Sequence, residues 1–95
     1  MEINLRTLKF DAGEKLSAFV QKKVARLSRF FEGVAEAEVT LENAKEGKKA
    51  KIKVRVPGDE LIIDRTADTF ENAVTACVDA MKERMTRARE KMIDK

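Results

Sequence analysis

The chain has 95 residues, 43% of them hydrophobic and 39% charged, with 20 Lys and Arg against 17 Asp and Glu for a net charge of +3. That length predicts one folded domain over residues 1–95 with a modest core. No apolar run approaches the roughly 18 residues that cross a bilayer, and the absence of histidine with a single cysteine removes the usual zinc sites and the Ser-His and Cys-His nucleophile pairs.

Residues 2–8 alternate Ile3 and Leu5 with Asn4 and Arg6, the period-two pattern of a short strand. Asp11-Ala12-Gly13-Glu14 then offers an aspartate cap with a glutamate three residues on, a helix start. Leu16, Phe19, Val20, Val24, Leu27, Phe30 and Phe31 recur at helical spacing, and Gly33 is suited to close the helix in the left-handed conformation.

Ala35, Ala37, Val39 and Leu41 alternate with Glu36, Glu38, Thr40 and Glu42, a strand with one apolar and one acidic face. Ala50, Ile52, Val54 and Val56 alternate with Lys51, Lys53 and Arg55, a strand with one apolar and one basic face. Residues 44–49 between them read as a flexible basic hairpin tip. Pro57-Gly58 predicts a turn, with Pro at its second and Gly at its third position, and residues 61–66 a fourth strand. Asp68-Thr69-Phe70-Glu71 repeats the helix start, and Phe70, Val74, Cys77, Met81, Met85, Ala88 and Met92 carry a second amphipathic helix almost to Lys95.

The order is β-α-β-β-β-α. A helix between the first two strands makes them parallel with a right-handed crossover, and the remaining strands follow as a meander. One apolar face per strand places both helices on the same side. The expected fold is therefore α+β, a two-layer sandwich with a four-stranded mixed sheet and two helices on one face.

The cations are blocked. Residues 14–31, 43–56 and 81–95 are basic, while 32–42 and 57–80 are acidic. Such segregation is the footprint of a polyphosphate binder. On the first helix Lys15, Lys22, Arg26 and Arg29 fall within about 60° of arc, with Lys23 across the apolar face, and Glu14 is the only carboxylate of that helix. On the second helix Arg84, Arg87 and Lys91 line one flank and Lys82 and Arg89 the other, with Glu83 placed to pair with Arg87.

Lys51, Lys53 and Arg55 oppose the glutamates of the preceding strand and read mainly as cross-strand pairing. Lys45, Lys48 and Lys49, at the tip, read as free to reach phosphate. All five aromatics are Phe, and none lies on a strand, which argues against a base-stacking sheet platform. Cys77 reads as a small core residue. The candidate RNA-binding residues are thus Lys22, Lys23, Arg26, Arg29, Arg84, Arg87, Lys91, Lys48 and Lys49.

Several motifs follow one another in a recognisable order. These are Met1-Glu2-Ile3-Asn4-Leu5, Leu16-x-x-Phe19-Val20, Lys23-Val24-Ala25-Arg26-Leu27-x-x-Phe30-Phe31, Val56-x-Gly58-x-Glu60-Leu61 and the basic helix over 81–91. In that order they resemble the short ribosome hibernation promoting factors, a family grouped with ribosome-associated inhibitor A, protein Y and the sigma-54 modulation proteins. The resemblance runs end to end, with two departures. Thr69-Phe70-Glu71 stands where the family usually has Asp-Met-Tyr, and Glu83-Arg84 where it has Arg-Gln. Lys23, Arg26, Arg87 and Lys91 match basic positions of the family pattern.

The resemblance implies a non-enzymatic protein without cofactor or small-molecule substrate, made when growth slows. It would bind the small ribosomal subunit and its rRNA in the channel for messenger and transfer RNA, with room for a second hibernation factor as partner. The dimerising C-terminal domain of long members and the acidic tail of the inhibitor type are not expected here. The N-terminus has no signal-peptide pattern and the lone cysteine suits a reducing compartment, so the expected location is the cytoplasm. The residues alone leave two alternatives open, a double-stranded RNA-binding module and a protein-interaction modulator of a transcription factor.

Overall fold

The alternating segments become four neighbouring strands. The computed structural model describes residues 2–29, 34 and 36–93, with side chains as far as residue 88. In chain order it contains β1 (Glu2–Leu8), α1 (Glu14–Ala25), a 3-10 turn at Arg26–Arg29, β2 (Glu36–Ala44), β3 (Gly47–Val56), β4 (Asp59–Ala67) and α2 (Phe70–Ile93). The strands lie in the sheet in that same order. β1 is parallel to β2, and β2, β3 and β4 are antiparallel in turn. This is the mixed sheet and element order expected from the periodicities.

Alternate residues of β2, β3 and the middle of β4 enter one core. Ala37, Val39 and Leu41 of β2, the even-numbered residues Ala50–Val56 of β3, and Leu61 and Ile63 of β4 are buried. They meet Val20, Val24 and Leu27 from the first helical segment and Val74, Cys77, Met81 and Met85 from α2. Removing these side chains from water is the main stabilising term, at about 1.5–3 kcal/mol for each large aliphatic residue. Among the described residues the opposite face of the sheet carries no helix and is open to solvent.

Chain direction follows from the strand polarities. α1 returns from the end of β1 to the start of β2, and α2 returns from the end of β4, which points the same way as β2. The two helices therefore run parallel, side by side, with their carbonyl ends at the same end of the molecule.

Three local expectations need correction. Asp11 does not cap α1: the N-cap is Gly13, without a side-chain hydrogen bond, and Ser17 N–H donates to the Gly13 carbonyl at 3.0 Å. Glu14 thereby falls on the first helical position instead of the third, so the capping-box geometry is lost. At α2 the cap is Thr69, whose Oγ1 accepts the Asn72 N–H at 3.0 Å. Asp68 instead accepts from the Asn72 side-chain amide at 3.0 Å, which holds its carboxyl below the ordinary range.

The third concerns the β2–β3 connection, which is a tight hairpin. Ala44 pairs with Gly47, leaving Lys45 and Glu46 as a two-residue turn. Gly47 has φ +144°, and a Cβ there would lie 2.9 Å from the Ala67 carbonyl oxygen, so the strand runs on to the turn only because this residue is glycine. Gly58 at φ +80° completes the expected turn after Pro57, in a backbone region that favours glycine. Helix α1 stops at Ala25 and tightens into the 3-10 turn, where the Ser28 hydroxyl donates to the Ala25 carbonyl at 2.9 Å. The expected core contributions of Phe30, Phe31, Ala35 and Met92, and the closing role of Gly33, lie outside the described residues.

Candidate nucleic-acid interface

Parallel helices bring the basic ends of both together. Lys22, Arg26 and Arg29 are exposed at the carbonyl end of the first helical segment, and Arg84 and Arg87 are exposed on the later turns of α2, which packs against the 3-10 turn. Cations there are favoured by the partial negative charge of helix carbonyl ends. Lys23 is half-buried and holds its Nζ 5.8 Å from the centre of the Phe19 ring, a cation–π distance.

Pairing separates these cations. None of Lys22, Lys23, Arg26 and Arg29 forms an ion pair among the described residues, and neither does Arg84. Arg87 is bound to Glu83 at 2.7 Å, the i,i+4 pair expected from the spacing, and Lys82 lies 3.8 Å from Asp79. The side chain of Lys91 lies outside the described residues.

Lys48 and Lys49 are not on a flexible tip. The tight turn draws both into β3, where Lys48 Nζ donates to Asn43 Oδ1 at 2.7 Å and sits 5.5 Å from the centre of the Phe70 ring. Phe70 in turn stacks on Phe10, with centroids 4.4 Å apart and planes 11° from parallel. Lys49 is half-buried between Glu42 and Thr66 of the flanking strands. Sequence periodicity could not have found the stack, because Phe10 lies in a connection and is brought to Phe70 only by the fold.

The open sheet face is a grid of opposite charges. Lys53 Nζ reaches Glu60 at 3.1 Å and Glu38 at 3.5 Å, and Arg55 reaches Glu60 at 3.8 Å. The Glu60 hydrogen bond and charge, with Glu38 behind them, raise the Lys53 pKa above 10.5. Cross-strand pairing of this row was expected from β2. The larger share for Lys53 comes from Glu60 of β4, which the register sets diagonally beside it, opposite Arg55.

Cys77 is buried and its thiol donates to the Ala50 carbonyl at 3.1 Å. Burial pushes its pKa up to about 11, so it is a poor nucleophile. It belongs to the core, as its position beside Val74 and Met81 predicted.

Comparison with known proteins agrees with this architecture. The N-terminal domain of Thermus thermophilus Protein Y superimposes with a TM-score of 0.84 at 27% identity, over 92% of this chain and 98% of that one. A ribosomal subunit interface protein from Coxiella burnetii gives a TM-score of 0.85 over 95% and 99% of the two chains, a likeness of fold alone at 15% identity. Among curated sequences, the ribosome hibernation promoting factor of Azotobacter vinelandii is 22% identical over 95 residues, covering 100% of this chain and 89% of the relative. That of Pseudomonas putida is 21% identical over 91 residues, covering 96% and 89%. A family model described as Sigma 54 modulation protein / S30EA ribosomal protein matches residues 3–93. The chain belongs to that family, the one that includes the ribosome hibernation promoting factors.

Proposed function

We propose that this chain, acting as one ribosome-binding domain over residues 1–95, binds rRNA of the small ribosomal subunit in the channel for messenger and transfer RNA. In doing so it holds ribosomes inactive in the cytoplasm during slow growth or stress. It works by occupancy and performs no chemistry. Lys22, Lys23, Arg26 and Arg29, with Arg84, Arg87 and Lys91, supply the contacts to backbone phosphates, and Lys48 and Lys49 are secondary.

The observation that carries this reading is the difference in pairing between the two layers. Among the described residues Lys22, Lys23, Arg26, Arg29 and Arg84 of the helix layer form no ion pair, whereas Lys53 and Arg55 of the sheet face are bound to Glu38 and Glu60. Unpaired cations gain most from phosphate, because no internal ion pair has to be broken first. The names of the relatives, which speak of ribosome hibernation and a ribosomal subunit interface, point the same way.

Co-sedimentation with purified small subunits through a salt series tests it. If about six phosphates are neutralised, affinity falls about 10³-fold between 50 and 200 mM salt. Binding to free RNA duplex in preference to subunits would favour a double-stranded RNA module. A complex indifferent to salt would favour a protein partner.

A further inference from the structure

The strand register isolates two cations on the open face of the sheet. Arg6 of β1, Thr40 of β2, Lys51 of β3 and Asp64 of β4 form one cross-strand row. Even-numbered residues of β1 and β2 and odd-numbered residues of β3 point away from the core, so Arg6, Thr40 and Lys51 share the open face. Adjacent strands are about 4.8 Å apart, so Arg6 and Lys51 stand on either side of the Thr40 hydroxyl.

Neither cation is used by the fold. Arg6 and Lys51 are exposed, and neither forms a hydrogen bond through its side chain or an ion pair among the described residues. The next row is different, because Lys53 is held by Glu38 and Glu60. Lys51 escapes that fate because its β2 neighbour is threonine where the neighbour of Lys53 is glutamate. Asp64 flanks Lys51 on β4 without closing to ion-pair distance.

The three side chains border an open depression of about 230 Å³, completed by Lys53 and Glu38. That is less than the roughly 300–1,000 Å³ of cavities that enclose whole small molecules, and it suits one compact charged group. Glu38, the carboxylate on its wall, is already 3.5 Å from Lys53. A forked guanidinium, a hydroxyl donor and an ammonium around one depression are the donor set for a tetrahedral oxyanion.

We propose that Arg6, Thr40 and Lys51 form a phosphate-binding site on the open face of the sheet, separate from the basic helix layer. The group it takes is a phosphate, either from an RNA backbone or from the phosphate chain of a free nucleotide. The site goes beyond the proposed ribosome contact and does not depend on it. A chain with phosphate donors on both faces can touch two separate strands of polyanion at once, or sense a small phosphate on the face its helices leave free.

NMR titration of the protein tests the site, with pyrophosphate as probe in one arm and a short single-stranded RNA in the other. The expected result is a saturable shift at the Thr40 and Lys51 amides and the Arg6 side chain. Arg6→Gln with Lys51→Gln weakens pyrophosphate binding at least about tenfold, with melting temperature unchanged. Asp64→Asn, which removes the competing carboxylate beside Lys51, tightens it.

Shifts with both probes assign the RNA backbone, and shifts with pyrophosphate alone assign a free nucleotide. Shifts confined to the helix layer, or a sheet-face response that survives the double substitution, overturn the proposal. Ribosome co-sedimentation of the same variants is read separately, so a failure of the ribosome reading leaves this result standing.

Discussion

Lys53 and Glu60, two residues from adjacent antiparallel strands, are joined 3.1 Å apart, and the same carboxylate reaches Arg55 at 3.8 Å through its other oxygen. One glutamate of β4 thus bridges Lys53 and Arg55, two outward residues of β3. Glu60→Gln should lower the melting temperature modestly, and added salt should shrink the difference between variant and wild type, as for any exposed pair. The Lys53 pKa is raised above 10.5 in the folded state. The contribution of the pair is therefore fully present below that pH and lost as pH rises through the elevated value. Melting curves of both proteins at neutral and strongly alkaline pH should converge at the alkaline end.

The two layers should respond oppositely to charge reversal. Lys23→Glu with Arg26→Glu removes cations that bind no carboxylate, so ribosome affinity should fall while the domain stays folded, its melting temperature lowered only by the lost Phe19 contact and the reversed charge at the helix end. The log–log salt slope should drop by about two if each contacts one phosphate. Lys53→Glu with Arg55→Glu crowds new carboxylates against Glu38 and Glu60, so stability should fall and ribosome affinity change little. Loss of the ribosome by the strand variant, with retention by the helix variant, would assign the interface to the sheet.

The cap of α2 is a hydroxyl. Thr69→Ala strips the acceptor from the Asn72 N–H and should cost about 1 kcal/mol, or about 4–8 °C in melting temperature for a domain of this size. Asp11→Ala, at the position where a cap was expected and none forms, should shift melting by no more than about 2–4 °C. Calorimetry on the two variants side by side measures the difference.

Burial of Cys77 makes a distinct alkaline signature. Its thiol ionises at about 11 in the folded protein against an ordinary 9.0. The unfolded chain loses this proton first, so stability is full below pH 9.0 and declines as pH rises towards about 11. Cys77→Ala should flatten that part of the melting-temperature profile. In the native wild type at pH 8, a thiol reagent should react far more slowly than in denaturant.

Much of the architecture was legible because alternation and helical spacing are direct consequences of burying one face. The inward residues Val39, Leu41, Ile52 and Val54 could be read off in order, as could Val20, Val74 and Met81. What failed depended on local geometry one or two residues wide. A cap moves from Asp11 to Gly13, or from Asp68 to Thr69, without altering any periodicity. Gly47 converts an apparent loop into strand, which carried Lys48 and Lys49 off the expected tip.

The candidate site divided in the same way. Basic stripes on helices are visible at 100° per residue, and the Glu83–Arg87 pair followed from spacing alone. Whether Lys51 meets a glutamate or a threonine depends on strand register, which a single sequence constrains only to within an even number of residues. Arg6 likewise joins Lys51 across Thr40 only through that register.

Strand order in this sheet equals chain order, and the consequence is kinetic. β2, β3 and β4 are joined by two-residue turns, so their pairing closes very short loops. β1 meets β2 only after residues 9–35 have been folded back, a closure with a larger entropic cost. The three-strand meander is therefore the natural nucleus, and β1 with its crossover zips on late. Transient opening is expected to follow the reverse path, the parallel β1–β2 seam detaching first and β3, paired on both sides, last, an order that amide hydrogen exchange measures.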